Sequence, residues 1–269
     1  MLRTLRLAVL SFAALGLLST AACQVSTEGD KLILQPAKRY NGTPETDSES
    51  WTSGQPIVVF NDNGKTTIYS DSSASEVSVV GKPFAFDAEA EDAKKTMEEK
   101  LNLKVATENG EIVVAATMAG SGSYGYDLEV RIPSDFDGAL DVQQGNGDVE
   151  LKGVGHSVAT RVNSDNGDIT ATTVTLTNRI ELTTRLGDID ANILPTGTNK
   201  SLIRTDFGDV SIGIPEGANL TIHAYAENGL VTYPEAWAAN GDETNVSITL
   251  GNGSTELEVS SGRGDVDLR

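Results

Sequence analysis

The chain has 269 residues, of which 38% are apolar, 22% charged and only 5% aromatic, with 27 glycines and a formal net charge of −19. The length allows one large domain or two small ones, of which one is preferred, and few aromatics with many glycines fit short strands joined by tight turns rather than a helical bundle. So acidic a surface repels nucleic acid and anionic lipid headgroups, which excludes nucleic acid as a partner and any basic-patch attachment to membranes; solubility accounts for most of the acidity.

Residues 1–22 read as a signal peptide: Arg3 and Arg6 precede an apolar run over residues 7–18 that is too short to span a bilayer as a helix. Its removal takes the net charge from −19 to −21, because those two arginines leave with it. Ser19-Thr20-Ala21-Ala22 then leads to Cys23, the only cysteine, so no intramolecular disulfide can form. Cleavage after Ala22 with a free thiol is one reading. The other comes from resemblance: small residues before Cys resemble the lipobox of bacterial lipoproteins, although Thr20 stands where that motif more often has Leu. The resemblance implies lipidation of Cys23, hence a membrane partner through the lipid anchor, and Gln24 after it implies the outer membrane rather than retention.

Residues 23–55 carry Ser, Thr, Glu, Gly and Pro, with little apolar periodicity apart from Leu32-Ile33-Leu34. They read as a flexible tether carrying at most one short strand. The folded domain is expected over residues 56–269.

That domain is organised by a repeat. Gly-Asp followed by Val or Ile recurs as Gly147-Asp148, Gly167-Asp168, Gly187-Asp188 and Gly208-Asp209, at spacings of 20, 20 and 21 residues. Counting each Asp as zero, Leu140, Thr160, Ile180 and Ser201 stand at minus eight, and Val142, Val162, Leu182 and Ile203 at minus six. Val149, Ile169, Ile189 and Val210 follow at plus one. Alternation on both sides of the turn predicts two short strands per unit, each with one buried face. Further copies fit around Gly264-Asp265, around Gly64 with Lys65, around Gly110 with Glu111 and around Gly229 with Leu230. The longer gaps hold extra segments: a strand at 76–80, a helix at 88–101 with Ala93, Met97 and Leu101 on one face, and strands at 127–132 and 246–250. The helix is placed to cover an edge that would otherwise recruit other chains.

Two architectures could use this pattern. Asn-Gly at 63–64, 109–110, 166–167 and 228–229 is a hairpin signal, which would give an antiparallel meander or sandwich. In a parallel β-solenoid every coil must bend at the same place, which favours one residue type there, and Gly holds that place throughout. The preferred fold class is therefore all-β, a parallel β-solenoid (β-helix) with about 20-residue coils, one short helical insertion and antiparallel pairing at its ends. The Gly-Asn-Gly-Asp-Val and Asp-Asn-Gly-Asp-Ile units, the helical insertion and Val130-Arg131-Ile132-Pro133 resemble the bacterial putative-adhesin family of exported β-repeat domains. The resemblance implies an extracytoplasmic interaction role and carries over no catalytic residues.

Chemistry is sparse. A stacked column of Asp148, Asp168, Asp188 and Asp209 could offer oxygen ligands to Ca²⁺, but the expected role is bonding of each carboxylate to the N–H groups of its own turn. Arg263-Gly264-Asp265 spells an adhesion tripeptide, yet the repeat already demands its Gly and Asp. His156 and His223 are 67 residues apart and outside any metal-ligand spacing. A carbohydrate-active β-helix enzyme is the catalytic alternative and would need exposed aromatics, for which Trp51, Trp237 and Phe207 are the candidates. A third alternative is a purely structural periplasmic protein. The leading expectation is a non-catalytic cell-envelope lipoprotein, needing no cofactor, that presents an acidic repeat domain to an envelope or surface partner. Its binding surface would be a strand face or the loops at 232–244.

Overall fold

The structure is a computed structural model that describes residues 23–28, 31–155, 157–176, 179–195 and 197–269; the signal-peptide expectation at 1–22 and His156 lie outside the described residues. Among the described residues no helix is long and apolar enough to cross a membrane. The fold is all-β with one helix, built from two eleven-stranded sheets in which most pairings between repeat units are parallel, a solenoid-like arrangement, plus a separate two-stranded sheet.

That small sheet is β1 (Cys23–Glu28) paired antiparallel with β2 (Lys31–Pro36). The next strands, β3 (Lys38–Asn41) and β4 (Glu45–Ser50), already belong to the main fold. Both pair antiparallel with the long strand β7 (Glu76–Asp87). The expected tether to residue 55 is therefore corrected: the folded part reaches back to Lys38. The side chains of β3 and β4 are mostly exposed and show no apolar period, so pairing rests on backbone hydrogen bonds, supplemented by the Arg39 guanidinium 4.0 Å over the Phe84 ring. Trp51 then packs against Phe136, ring centroids 5.9 Å apart.

The first coil is β5 (Ile57–Asn63), a turn at Gly64, and β6 (Thr66–Asp71), and these two strands lie in different sheets. After β7 comes α1 (Ala90–Lys100), close to the expected span. Its Ala93 is buried, with Met97 and Leu101 packed beside it against Ala85 and Tyr124, as the four-residue spacing requires. It lies chiefly on β7 and also touches β3, β10 (Tyr124–Pro133) and β8 (Leu101–Glu108), strands drawn from both sheets, so it closes this end of the molecule. The open edge of β7 is taken by β3 and β4, not by the helix.

β8 and β9 (Glu111–Met118) form an antiparallel hairpin within one sheet, with Asn109 at φ 51° and Gly110 at φ 86°. This corrects the expected coil around Gly110. Two successive positive-φ residues are what a two-residue hairpin turn needs, and β9 then stacks on β5 with Ile112 opposite Ile57 and Val114 opposite Val59. Asn63-Gly64 and Asn166-Gly167 make no hairpin; each carries the chain across to the opposite sheet.

The regular units follow: β11 (Ala139–Asn146) with β12 (Val149–Lys152), β13 (Ala159–Asn166) with β14 (Ile169–Leu176), β15 (Arg179–Leu186) with β16 (Ile189–Pro195), and β17 (Ser201–Phe207) with β18 (Val210–Gly213). They stack in parallel register, Val142 on Val162 on Leu182 on Ile203 in one sheet and Val149 on Ile169 on Ile189 on Val210 in the other. All eight are 0–1% exposed, and together they form the core between the sheets.

The C-terminal order departs from the chain order. β19 (Leu220–Ala226), β20 (Val231–Thr232), β21 (Ala239–Gly241) and β22 (Asn245–Leu250) come first in sequence, but β23 (Thr255–Ser261) and β24 (Val266–Leu268) insert between them and the preceding unit. β23 pairs in parallel with both β17 and β19, while β22 and β21 close the sheet antiparallel.

Candidate functional site

The turns between the two sheets line up along one side of the molecule, and three columns of residues run through them. In the glycine column, Gly147, Gly167, Gly187, Gly208 and Gly264 have φ between 116° and 149°. A Cβ on any of them would stand 2.1–2.2 Å from the carbonyl oxygen of the glycine stacked before it. Gly64 would meet the Tyr126 carbonyl at 2.0 Å and Gly229 that of Gly264 at 2.1 Å. Backbone conformation and close approach together restrict Gly64, Gly147, Gly167, Gly187, Gly208 and Gly264 to glycine, while at Gly229 the close approach alone does so. Gly110 does not belong here, since a Cβ there would have nothing within 4 Å.

In the aspartate column each carboxylate bonds forward to the next unit, not to its own turn as expected. Asp148 Oδ1 accepts the Asp168 N–H at 3.0 Å, Asp168 that of Asp188 at 2.8 Å, Asp188 that of Asp209 and Asp209 that of Asp265 at 2.7 Å each. Asp265 completes the series by accepting from Leu230 N–H at 2.8 Å. Where Lys65 interrupts the column, Asp127 of β10 accepts the Lys65 N–H at 3.0 Å. Asp127, followed by Leu128 and Val130, matches the second half of the repeat template; it escaped notice because Tyr126 replaces the glycine.

The third column was missed although it is legible. At minus four, facing inward, stand Asn61, Gln144, Ser164, Thr184, Thr205 and Ser261, all buried polar residues. Thr184, Thr205 and Ser261 donate to the carbonyls of Gly167, Gly187 and Gly208 at 3.0, 2.8 and 2.8 Å, and Gln144 Nε2 donates to that of Gly64 at 2.7 Å. These bonds satisfy the glycine carbonyls at four of the crossings, while the glycine N–H groups there donate to backbone carbonyls of the next unit, as Gly147 does to Asn166 at 2.8 Å.

Among the described residues no group of three or more His, Cys, Asp or Glu is placed to hold a metal ion. The calcium expectation finds one oxygen of each repeat Asp from 148 to 265 committed to a backbone N–H. Within the Arg-Gly-Asp tripeptide, Arg263 lies 5.0 Å over the exposed Phe207 ring, Gly264 is a column glycine and Asp265 is a column carboxylate. Of the aromatic candidates, Trp51 and Trp237 pack against the core and only Phe207 is exposed. Cys23 stands at the start of β1, outside the two main sheets.

The outer face of β17, β23 and β19 carries a trough. Small residues, Ser260 and Gly262, form its floor on β23 and the segment after it. Register puts Arg204 on one side of Ser260 and Tyr225 on the other, and His223 beside Glu258. Two adjoining depressions of about 350 and 340 Å³ share Arg204, Glu227 and Gly262. Tyr225 and Phe207 are 45% and 43% exposed. Arg204 donates to Asp206 Oδ1 at 2.9 Å, and Lys200 pairs with Glu258 at 2.6 Å and Glu256 at 3.1 Å. Those two bonds, Glu258 first, hold the Lys200 ammonium above its usual range. Tyr225 was missed because it alternates with buried Ile222, Ala224 and Ala226 as any outward strand residue does.

A search of the curated proteins gives no match. Among solved structures, a putative cell adhesion protein from Clostridium sporogenes superposes with a TM-score of 0.52 at 13% identity, covering 84% of this chain and 99% of that one. A putative adhesin from Parabacteroides distasonis gives a TM-score of 0.34 at 12% identity over 85% and 98% of the two chains. A putative lipid binding protein from the same organism gives 0.28 at 10% identity over 85% and 98%. The first of these shows a shared fold. The family model described as Toastrack DUF4097 matches residues 57–193 and again 155–269, and the chain therefore belongs to the Toastrack DUF4097 family.

Proposed function

We propose that the protein is a non-catalytic, exported lipoprotein that presents a parallel β-solenoid of about 20-residue coils at the cell envelope, for adhesion or scaffolding. Cys23 carries the lipid after removal of residues 1–22, the outer membrane holds the anchor, and the partner is an envelope or surface molecule. The observation that carries this reading is the forward bonding of the aspartate column, from Asp148 through Asp265. The chain's most regular array of acidic groups holds one unit to the next, so the repeat is explained by assembly of a stiff rod, and the broad outer strand faces are left for contact. The adhesion reading also extends to this chain what the name of the Clostridium sporogenes protein says of that protein.

Protease shaving of intact cells tests it, with Cys23→Ser as the anchoring control. Cleavage of the wild-type protein while periplasmic markers survive supports display at the surface, and release of the Cys23→Ser variant from the membrane fraction supports the anchor. Full protection in intact cells, with cleavage only after permeabilisation, sinks the adhesin reading and leaves a periplasmic scaffold. Retention of the Cys23→Ser variant in membranes sinks the lipid anchor.

A further inference from the structure

The trough over β23 combines features that no requirement of the fold explains. Its three strands are interior to their sheet, each hydrogen-bonded on both sides. An extended peptide cannot add to them as a further strand, so whatever binds must be recognised by side chains alone. Across three strands the trough is about 10 Å wide, and from His223 to Glu227 it runs about 13 Å. That suits a short chain-like ligand lying along the strands, not a folded partner.

The charges narrow the chemistry. Arg204 is answered by Asp206, Glu258 by Lys200, and Arg263 rests on the Phe207 ring. An anionic ligand would have to displace Asp206 from Arg204 or Glu258 from Lys200, and would also meet a protein of net charge −19. A neutral ligand rich in hydroxyl groups can bond to the outer sides of the paired groups without separating them. The Tyr225 ring offers an apolar face with a polar tip beside a low floor, which matches the C–H face of a sugar ring bordered by hydroxyls.

We propose that this trough binds a neutral oligosaccharide, with Tyr225 as the stacking platform and Arg204, Asp206, His223 and Glu227 as the groups that bond its hydroxyls. The assignment rests on the adhesion reading above and names the ligand class of its contact surface. Glu227 supplies a carboxylate acceptor at the end of the trough, and Ser260 and Gly262 keep the floor clear for the ring on Tyr225. Phe207, partly covered by Arg263, extends the apolar surface beyond the Arg204 wall.

The test is calorimetric titration of the purified mature chain with chitohexaose, cellohexaose, maltohexaose and polygalacturonate. At least one of the three neutral hexasaccharides binds, and the Tyr225→Ala variant binds it about tenfold more weakly. The Ser260→Tyr variant, which fills the floor, gives a similar or larger loss, and Tyr69→Ala on the opposite sheet leaves the affinity unchanged. Circular dichroism melts of each variant separate lost binding from lost folding. Absence of binding to all three neutral sugars overturns the proposal, as does binding to polygalacturonate alone or equal affinity in the wild-type, Tyr225→Ala and Ser260→Tyr chains. Such a failure leaves the adhesion reading standing or falling on the shaving experiment, which reads location without any ligand.

Discussion

Asp188 accepts the backbone N–H of Asp209 through its Oδ1 at 2.7 Å, a bond between residues 21 positions apart that ties one unit to the next. An acceptor, not a charge, is what the Asp209 N–H needs. Asp188→Asn keeps that acceptor and is expected to leave stability nearly unchanged. Asp188→Ala leaves the N–H without its partner and costs about 1–2 kcal/mol. Urea denaturation of the two variants decides the matter, and equal losses would show that the carboxylate charge carries the effect.

The glycine column predicts a sharp contrast between two positions with similar local sequence. Gly187 combines φ 146° with a Cβ position 2.2 Å from the Gly167 carbonyl oxygen, so Gly187→Ala must displace the stacked backbone and should cost more than ~3 kcal/mol. Gly110 has φ 86° and open space around it, so Gly110→Asn, the residue that best tolerates this conformation after glycine, should cost less than ~1 kcal/mol. Thermal melts of both variants read the difference directly.

Ser164 is the exception in the inward polar column. Its hydroxyl is buried without a hydrogen-bond partner, whereas Thr184 and Thr205, at the equivalent places, bond to the glycine carbonyl of the preceding turn. The added methyl of a threonine limits the side chain to fewer rotamers and matches its neighbours in the stack. Ser164→Thr is expected to stabilise the protein by ~0.5–1 kcal/mol, while Thr205→Ala destabilises it by ~1–2 kcal/mol. A loss of stability in Ser164→Thr, measured by chemical denaturation, would contradict the equivalence of these sites.

Stability should also fall at alkaline pH through Tyr126. This side chain is 2% exposed and its hydroxyl donates to Glu45 Oε1 at 2.9 Å. Burial first, and then the bond to Glu45, raise its pKa far above the usual tyrosine value. The folded-state pKa exceeds the unfolded one, so the contribution is complete below about pH 10 and is lost progressively as the pH rises above it. Melting temperatures measured from pH 8 to pH 11 should drop more steeply in the wild type than in Tyr126→Phe; parallel curves would assign the loss to other groups.

Much of the architecture was readable from residues in a row. The alternation of Leu140 and Val142, then Val149 and Leu151, around Gly147 marks two buried faces and a bend, and the same marks return at Gly167, Gly187, Gly208 and Gly264. The minus-four column was equally present in the letters; it passed unread because polar residues from Asn61 to Ser261 were not expected to face inward. The helix at Ala90–Lys100 followed from spacing alone. In contrast, Asn63-Gly64 and Asn109-Gly110 are the same dipeptide between alternating strands, yet one crosses between sheets and the other folds back.

That contrast marks the division between sequence and tertiary structure. A bend, a buried face and a helical stripe are local properties, set by which side chains recur and by glycine's freedom at positive φ, so the chain carries them in its own order. Which strand pairs with which is decided by backbone hydrogen bonds that are nearly indifferent to side-chain identity. Pairing therefore goes to whichever edge is within reach once the units have stacked. This is why β3 and β4 join β7 despite their polar composition, and why β23 lies between β17 and β19. It also brings Arg204, Ser260 and Tyr225 into one row. The trough exists only because a late strand was inserted between two earlier ones, an outcome of space and closure that no local pattern records.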